Sequence, residues 1–117
     1  METKSDITWM EALQIIAQGQ HNSGANRLYF AVFQAVYAYG LRKGLVSPGE
    51  QDSLHGKARG IVRSRASNPR KYSAAFNQLF ELRVKADYKP EEIDLDDLSE
   101  SLIEEAKNLR EYFLRAI

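Results

Sequence analysis

The sequence predicts an all-α protein, an up-and-down bundle of about five helices. Apolar residues recur at three- and four-residue spacing in successive segments, and no segment alternates between apolar and polar residues as a half-buried strand would. Short connections containing glycine, proline or asparagine separate the segments. A chain of 117 residues corresponds to one domain, which we place over residues 1–117.

The first predicted helix is Ile7–Gln18, and Gly19 ends it. Helical spacing assigns five apolar side chains to its inward face: Trp9, Met10, Leu13, Ile16 and Ala17. Ser23 is the predicted N-cap of a second helix that runs to about Tyr39.

The second helix is apolar on two sides. One side carries Leu28, Val32, Ala35 and Tyr39, and the other carries Phe30, Phe33, Tyr37 and Leu41. A narrow polar strip between them contains Arg27 and Gln34. Such a helix either lies at the centre of a bundle or shares one side with a partner chain. We expect Phe30, Phe33 or Tyr37 to contribute to a homodimer interface.

Three further helices follow. Ser47-Pro48-Gly49-Glu50 predicts the start of the third, which runs to about Arg65 and carries His55 at the edge of its apolar face. The fourth spans about Arg70–Ala86, and Lys89-Pro90 stops it. The fifth spans about Leu95–Ala116 with a nearly straight apolar seam: Leu95, Leu98, Leu102, Ala106, Leu109, Phe113 and Ile117.

Charge is unevenly distributed in a chain whose formal net charge is zero. The segment 53–80 contains six cations and no acid, whereas residues 91–117 contain nine acids and three cations. One interpretation is a basic side that faces a polyanion and a solvated acidic side. The other is that the two segments lie next to each other and cancel.

Several functional classes find no support in the sequence. The chain has no cysteine and two histidines, and it lacks a Gly-rich phosphate loop and an H-E-x-x-H motif, so we expect no metal site and no cofactor. The N-terminus is polar and acidic, unlike a signal peptide. The longest apolar run, residues 28–41, is too short to cross a membrane, and we expect a cytoplasmic protein.

Arg83 is the most unusual residue of the fourth helix, because it falls on the same face as the apolar Phe76, Leu79 and Phe80. A guanidinium directed towards a core is costly unless it is paired or used. In a structural interpretation, Arg83 pairs with Asp87 one turn later and Tyr88 packs at the helix end. In a functional interpretation, one cleft binds phosphate through four residues: Arg27, Arg83, Asp87 and Tyr88.

Two segments resemble signatures of the HEPN domain family. Residues 25–35, A-N-R-L-Y-F-A-V-F-Q-A, resemble its A-x-R-x-Y-Y-A-x-F-x-A helix, and residues 82–88, L-R-V-K-A-D-Y, resemble its L-R-x-x-A-D-Y motif. His55 resembles a histidine of the same branch. The resemblance covers nearly the whole chain and implies a dimeric all-α bundle linked with RNA or nucleotides. It also implies a minimal nucleotidyltransferase antitoxin as partner.

Many members of that family are metal-independent endoribonucleases with an Arg-x4-6-His motif. This chain departs from the pattern, because Tyr88 follows Arg83 where a histidine would stand, and no histidine follows His55. Tyrosine, with a pKa of about 10, is a poor proton shuttle near neutral pH. The catalytic candidates are therefore Arg83, Tyr88 and His55, in a toxin-like or defence-associated protein. The alternatives are a non-catalytic interaction module and a nucleotide sensor that acts through a partner.

Overall fold

The computed structural model describes residues 4–47, 54–89 and 95–117. Within these ranges the chain contains no β-strand, which confirms the prediction of an all-α bundle. A 3-10 turn at Leu95–Leu98 precedes the last helix. The described α-helices are α1, Lys4–Ala17; α2, His21–Arg42; α3, Leu54–Arg65; α4, Pro69–Tyr88; and α5, Glu100–Arg115.

Helix α2 is the centre of the bundle and packs against α1, α3, α4 and α5. The predicted inward side is buried, including Leu28, Val32 and Ala35, each with no exposed surface. On the other predicted side, Phe30, Phe33 and Tyr37 are half-buried and pack against the same core. The two-sided apolar pattern of α2 therefore arises largely from its central position.

Helix α1 buries only part of the face that its hydrophobicity predicts: Trp9 is buried and Ile16 packs against the core, but Ala17 is exposed. Met10 and Leu13 are 56% and 41% exposed, whereas Ser5, Thr8, Trp9 and Ala12 are buried. Small and hydroxyl-bearing residues permit a close approach to α2, and the Ser5 hydroxyl donates a 2.6 Å hydrogen bond to the carbonyl oxygen of Ala31. Hydrogen bonding makes these polar residues compatible with burial, so the inward assignment of Met10 and Leu13 was wrong.

Two helix boundaries also differ from the predictions. Helix α2 begins at His21 rather than after Ser23, and its first residue follows Gln20, which makes no side-chain capping bond. The predicted fifth helix is divided at Ser99, whose hydroxyl accepts a 3.1 Å hydrogen bond from the Leu102 backbone N–H. This capping bond satisfies a donor that would otherwise lack a partner, and it starts α5 at Glu100.

The remaining predicted segments agree more closely with the structure. Asn68 caps α4, which begins at Pro69, and the helix continues to Tyr88. The start signal predicted for the third helix at 48–50 lies outside the described residues. Five positions of the α5 seam are buried, namely Leu98, Leu102, Ala106, Leu109 and Phe113, whereas Ile117 is exposed.

Gly40 is a point of close approach between α2 and α3. A Cβ atom at this position would lie 2.9 Å from Ile61 Cδ1 and 3.1 Å from Val46 Cγ2. The helix continues through Gly40, and the left-handed turn comes at Gly44, whose φ is +72°. A side chain at residue 40 would require the Ile61 and Val46 side chains to shift, so a glycine suits this closely packed contact.

Arg110 of α5 links the last helix to the first. Its Nη1 atom donates to Asp6 Oδ1 at 2.7 Å and lies 3.3 Å from the Ser5 hydroxyl. The guanidinium also lies over the Trp9 ring, with Cζ 5.3 Å from the ring centre. The Arg110 side chain is 10% exposed, so this pair is a partly buried tertiary ion pair.

We expect Asp6→Ala to lower the free energy of unfolding by about 1–3 kcal/mol, because it leaves the guanidinium of Arg110 without its charged partner. Urea unfolding at neutral pH measures the effect. Glu111→Ala is the matched control, since it removes the exposed ion pair with Arg115 and should change stability by at most about 1 kcal/mol. Equal losses in the two variants would contradict the assigned role of Arg110.

Candidate functional site

A hydrogen bond between Tyr29 and His55 lies at the centre of the candidate site. The Tyr29 hydroxyl of α2 is 2.7 Å from His55 Nδ1 in the first turn of α3. Tyr29 is buried, whereas His55 is partly exposed. The bond therefore joins the core of the bundle to the surface of α3.

Aromatic rings of α4 cover the histidine. The ring centre of Phe80 lies 3.5 Å from that of His55, with 19° between the planes, and that of Phe76 lies 5.3 Å away, with 8° between the planes. Both phenylalanines are also 5.7 Å from the Tyr29 ring. Three helices thus meet in one aromatic cluster around the imidazole.

Arg83 of α4 lies against this cluster, and its charge is only loosely paired. Its Cζ atom is 5.0 Å from the Phe30 ring centre and 5.6 Å from that of Tyr29, within cation–π distance. Its Nη2 atom is 3.9 Å from Asp87 Oδ2, beyond hydrogen-bond distance. The side chain is 31% exposed, and its buried Nε has no hydrogen-bond partner among the described residues.

Burial and nearby charge keep the Tyr29–His55 pair neutral at physiological pH. Burial raises the pKa of Tyr29 to about 12, although the charge of Arg83 acts in the opposite direction. Burial, followed by the charges of Arg59 and Arg83, lowers the pKa of His55. We assign the tyrosine hydroxyl as the donor to Nδ1, which leaves the imidazole proton on Nε2, because this one contact then satisfies both groups.

Arg27 and Asp87 lie together in a separate polar depression of about 280 Å³ at the start of α2. The other lining residues are Asn22, Ser23, Asn26 and Ala86. Arg27 Nε is 3.7 Å from Glu11 Oε2, and both side chains are about half exposed. Asp87 lies between this depression and Arg83, because it lines the depression and also faces the Arg83 guanidinium.

Tyr88, the remaining predicted site residue, is 80% exposed at the end of α4. Tyr88 lines a separate open groove on the outer side of that helix. The fold thus brings His55 and Arg83 together, places Arg27 beside Asp87, and sets Tyr88 apart from both pairs. Sequence reasoning missed Tyr29; the available signal was a tyrosine on the most deeply buried side of α2.

Helix α3 surrounds His55 with positive charge. Its exposed cations are Lys57, Arg59, Arg63 and Arg65, and no acid occurs between residues 54 and 65. Arg59 is close enough to His55 to influence its pKa. A basic surface therefore adjoins the side of the cluster that contains the histidine.

Comparison with known families decides the classification. A family model described as the HEPN domain matches residues 5–117. The chain belongs to the HEPN domain family. Membership links it broadly with nucleotide- or RNA-related functions. Comparisons with curated proteins and with solved structures found no significant match for this HEPN chain.

Neither a membrane-spanning helix nor a group of metal-ligating side chains occurs in the part of the chain that the structure describes. No helix in 4–47, 54–89 or 95–117 is long and apolar enough to span a membrane. In the same ranges, no three His, Cys, Asp or Glu residues are grouped as metal ligands would be. The candidate site of this HEPN domain is therefore described by its arginine, histidine and aromatic residues.

The lowered pKa of His55 predicts a pH-dependent loss of stability. Because the unfolded chain binds the proton more readily, the free energy of unfolding falls as the pH drops from about 6.5 to the lower pKa of the folded state. We expect His55→Gln to lose less stability than the wild type over this interval in urea unfolding. Identical pH profiles would contradict the prediction.

Proposed function

We propose that this HEPN protein binds RNA or a nucleotide through a phosphate at Arg83, as a toxin-like or defence-associated protein in the cytoplasm. The observation that carries the proposal is the loose pairing of Arg83 with Asp87, at 3.9 Å. A guanidinium has five N–H donors in a planar fork that matches two phosphate oxygens. Asp87 lies beyond hydrogen-bond distance of Nη2, so it does not hold this nitrogen in a tight pair.

The surroundings of Arg83 support a binding role. The Tyr29 and Phe30 rings hold the guanidinium by cation–π contacts, which leave its in-plane N–H groups free to bind an anion. These rings are themselves fixed in the packed core. A positioned side chain loses less conformational entropy when it binds than a mobile surface arginine does.

Positive charge on α3 supports an approach by a polyanion. Lys57, Arg59, Arg63 and Arg65 are exposed, and each cation near a phosphate backbone adds a salt-dependent contribution to affinity. Arg27 adds a second guanidinium beyond Asp87, at the start of α2. We propose that Arg27, Arg83 and Tyr88 all contact the bound nucleic acid or nucleotide.

Asp87 has a distinct place in this proposal. Its carboxylate faces Arg83 across 3.9 Å, where an incoming phosphate would compete with it for the same guanidinium. Two anions on one arginine repel each other, so Asp87 weakens phosphate binding in exchange for compensating the arginine charge in the free protein. In the functional interpretation, removal of the Asp87 carboxylate should strengthen phosphate binding. In the structural interpretation, the same change should weaken it.

Metal-independent cleavage of RNA is a second candidate function, favoured by the position of His55 beside the Arg83 cluster. In such a reaction, Arg83 from two subunits would flank one scissile phosphate and stabilise the charge that develops on its oxygens. His55 or Tyr88 would assist the 2′-hydroxyl. However, in the assigned tautomer His55 carries its proton on Nε2, and its Nδ1 accepts the hydrogen bond from the Tyr29 hydroxyl. The imidazole is therefore a hydrogen-bond donor rather than a base towards a ligand. This arrangement favours binding over cleavage.

We also propose a homodimer and a minimal nucleotidyltransferase antitoxin as partners. HEPN domains often act as dimers, which supports the first of these. A half-buried aromatic row on α2 consists of Phe30, Phe33 and Tyr37, and the Phe30 ring contacts the Arg83 guanidinium. A dimer built on this row would therefore bring two copies of the arginine near each other. The alternative is a non-catalytic interaction or nucleotide-sensing module that acts through such a partner.

Variants of Arg83 and Asp87 test phosphate binding. We expect Arg83→Ala to weaken single-stranded RNA binding by about 10- to 100-fold, since a charge-assisted hydrogen bond contributes about 1.5–3 kcal/mol. We expect Asp87→Asn to tighten binding severalfold because it removes the competing carboxylate. Fluorescence anisotropy at several salt concentrations measures both effects.

Arg115→Ala is the control for this pair of variants, because it removes an exposed arginine on α5 that pairs only with Glu111 among the described residues. Its affinity for RNA should match that of the wild type. Wild-type affinity in Arg83→Ala would refute the phosphate proposal, and weaker binding in Asp87→Asn would favour the structural interpretation of the pair. Equal RNA cleavage by wild type and Arg83→Ala would refute the catalytic role.

The dimer is tested by Phe33→Glu, which places a carboxylate on the half-buried side of α2. We expect this variant to have the solution mass of a monomer in analytical ultracentrifugation, because an unpaired charge in an apolar interface is costly. Met10→Glu, on the exposed side of α1, is the control and should remain dimeric, with urea unfolding used to verify that both variants fold. A wild-type protein that is already monomeric would contradict the prediction.

A further inference from the structure

The outer side of α4 carries an exposed groove that shares only Phe80 with the aromatic cluster around His55. It has a volume of about 400 Å³, within the range of small-ligand sites. The residues that line it are Phe80, Glu81, Val84, Lys85, Tyr88 and Lys89. We propose that this groove is a stacking subsite for an unpaired base of single-stranded RNA whose phosphate lies at Arg83, an inference that rests on the proposed function.

The helical spacing of these residues forms two parallel ridges. Phe80, Val84 and Tyr88 are four residues apart and share one ridge, which is apolar. Glu81, Lys85 and Lys89 follow each of them by one position and form the adjacent ridge, which carries two cations and one acid. An apolar strip beside a cationic one matches a nucleotide, whose flat base is apolar and whose phosphate is anionic.

Tyr88 is the side chain that most requires an explanation. Its ring is 80% exposed, so its apolar area contributes little to folding. A tyrosine at a helix end presents a rigid flat surface with only two side-chain torsions, which is well suited to stacking on a base. Stacking tolerates every base, because each base has an aromatic face.

The groove meets the aromatic cluster around His55 at Phe80. One end of the apolar ridge is the Phe80 ring, which stacks on His55 at 3.5 Å, and His55 bonds to Tyr29 beneath Arg83. Arg83 and Tyr88 are five residues apart on α4, which is about 7.5 Å along the helix axis. A nucleotide with its phosphate at Arg83 therefore has an aromatic surface within the same helix on which to place a base.

The same geometry predicts the form of the nucleic acid. In a duplex the bases are stacked on one another and their faces are not available to a protein ring. Only a single strand, a loop or an end can place a base face on Tyr88. The groove therefore selects single-stranded over double-stranded RNA, and the two lysines of the adjacent ridge contact the backbone beside the stacked base.

Tyr88→Ala and Tyr88→Phe test this inference directly. The probes are a short single-stranded oligoadenosine that contains one 2-aminopurine, the same oligonucleotide with abasic positions, and its duplex form. We expect Tyr88→Ala to weaken binding of the base-containing strand by about 5- to 100-fold and to abolish 2-aminopurine quenching. Tyr88→Phe should retain both, since it keeps the ring, and the abasic strand should bind equally to all three proteins.

Arg83→Ala separates this inference from the proposed function, because loss of the phosphate contact should weaken the base-containing and abasic strands alike. Unchanged affinity and quenching in Tyr88→Ala, or an equal loss for both strands, would overturn the stacking subsite while leaving phosphate binding at Arg83 in place. A wild-type protein with no affinity for any of the probes would overturn both proposals. Lys85→Gln should reduce affinity for both strands, because it removes a cation that lines the groove. Lys107→Gln, on the exposed surface of α5, is the control for the loss of one positive charge.

Discussion

The hydrogen bond between Tyr29 and His55 joins the buried central helix to the basic helix α3. Tyr29 is buried, and its hydroxyl would lose a hydrogen bond without the histidine, at a cost of about 1–3 kcal/mol. The bond therefore holds α3 at one position on α2, while Phe76 and Phe80 close over the imidazole from α4. The exposed cations of α3 belong to the same helix as His55, so this bond also positions their backbone relative to α2.

Two arginines in this fold illustrate how a charged side chain can be structural or available for binding. Arg110 donates to Asp6 at 2.7 Å and is 10% exposed, so its charge is largely satisfied within the protein. Arg83 lies 3.9 Å from Asp87, is 31% exposed and rests on aromatic rings. Arg110 is thus closely paired within the protein, whereas Asp87 only loosely compensates the charge of Arg83.

The sequence predicted the helices and the central position of α2 because these features follow from local periodicity. It failed in part for α1, where Trp9 is buried as predicted but Met10 and Leu13 are exposed. The buried Ser5, which bonds to the carbonyl of Ala31, lies on the inward face instead. The pairing of Tyr29 with His55 was also beyond prediction, because the two residues are 26 positions apart and meet only in the packed bundle. Arg110 was missed for the same reason, since its partner Asp6 is 104 positions away.

The most direct test of phosphate binding at Arg83 is the NMR signal of its side-chain N–H at Nε. Both Arg83 and Arg110 have a buried Nε without a hydrogen-bond partner among the described residues, so the second arginine is an internal reference. In protein with ¹⁵N-labelled arginine, titration with single-stranded RNA should shift the Arg83 signal and leave that of Arg110 in place. An Arg83 signal that stays unchanged at saturating RNA would contradict the account.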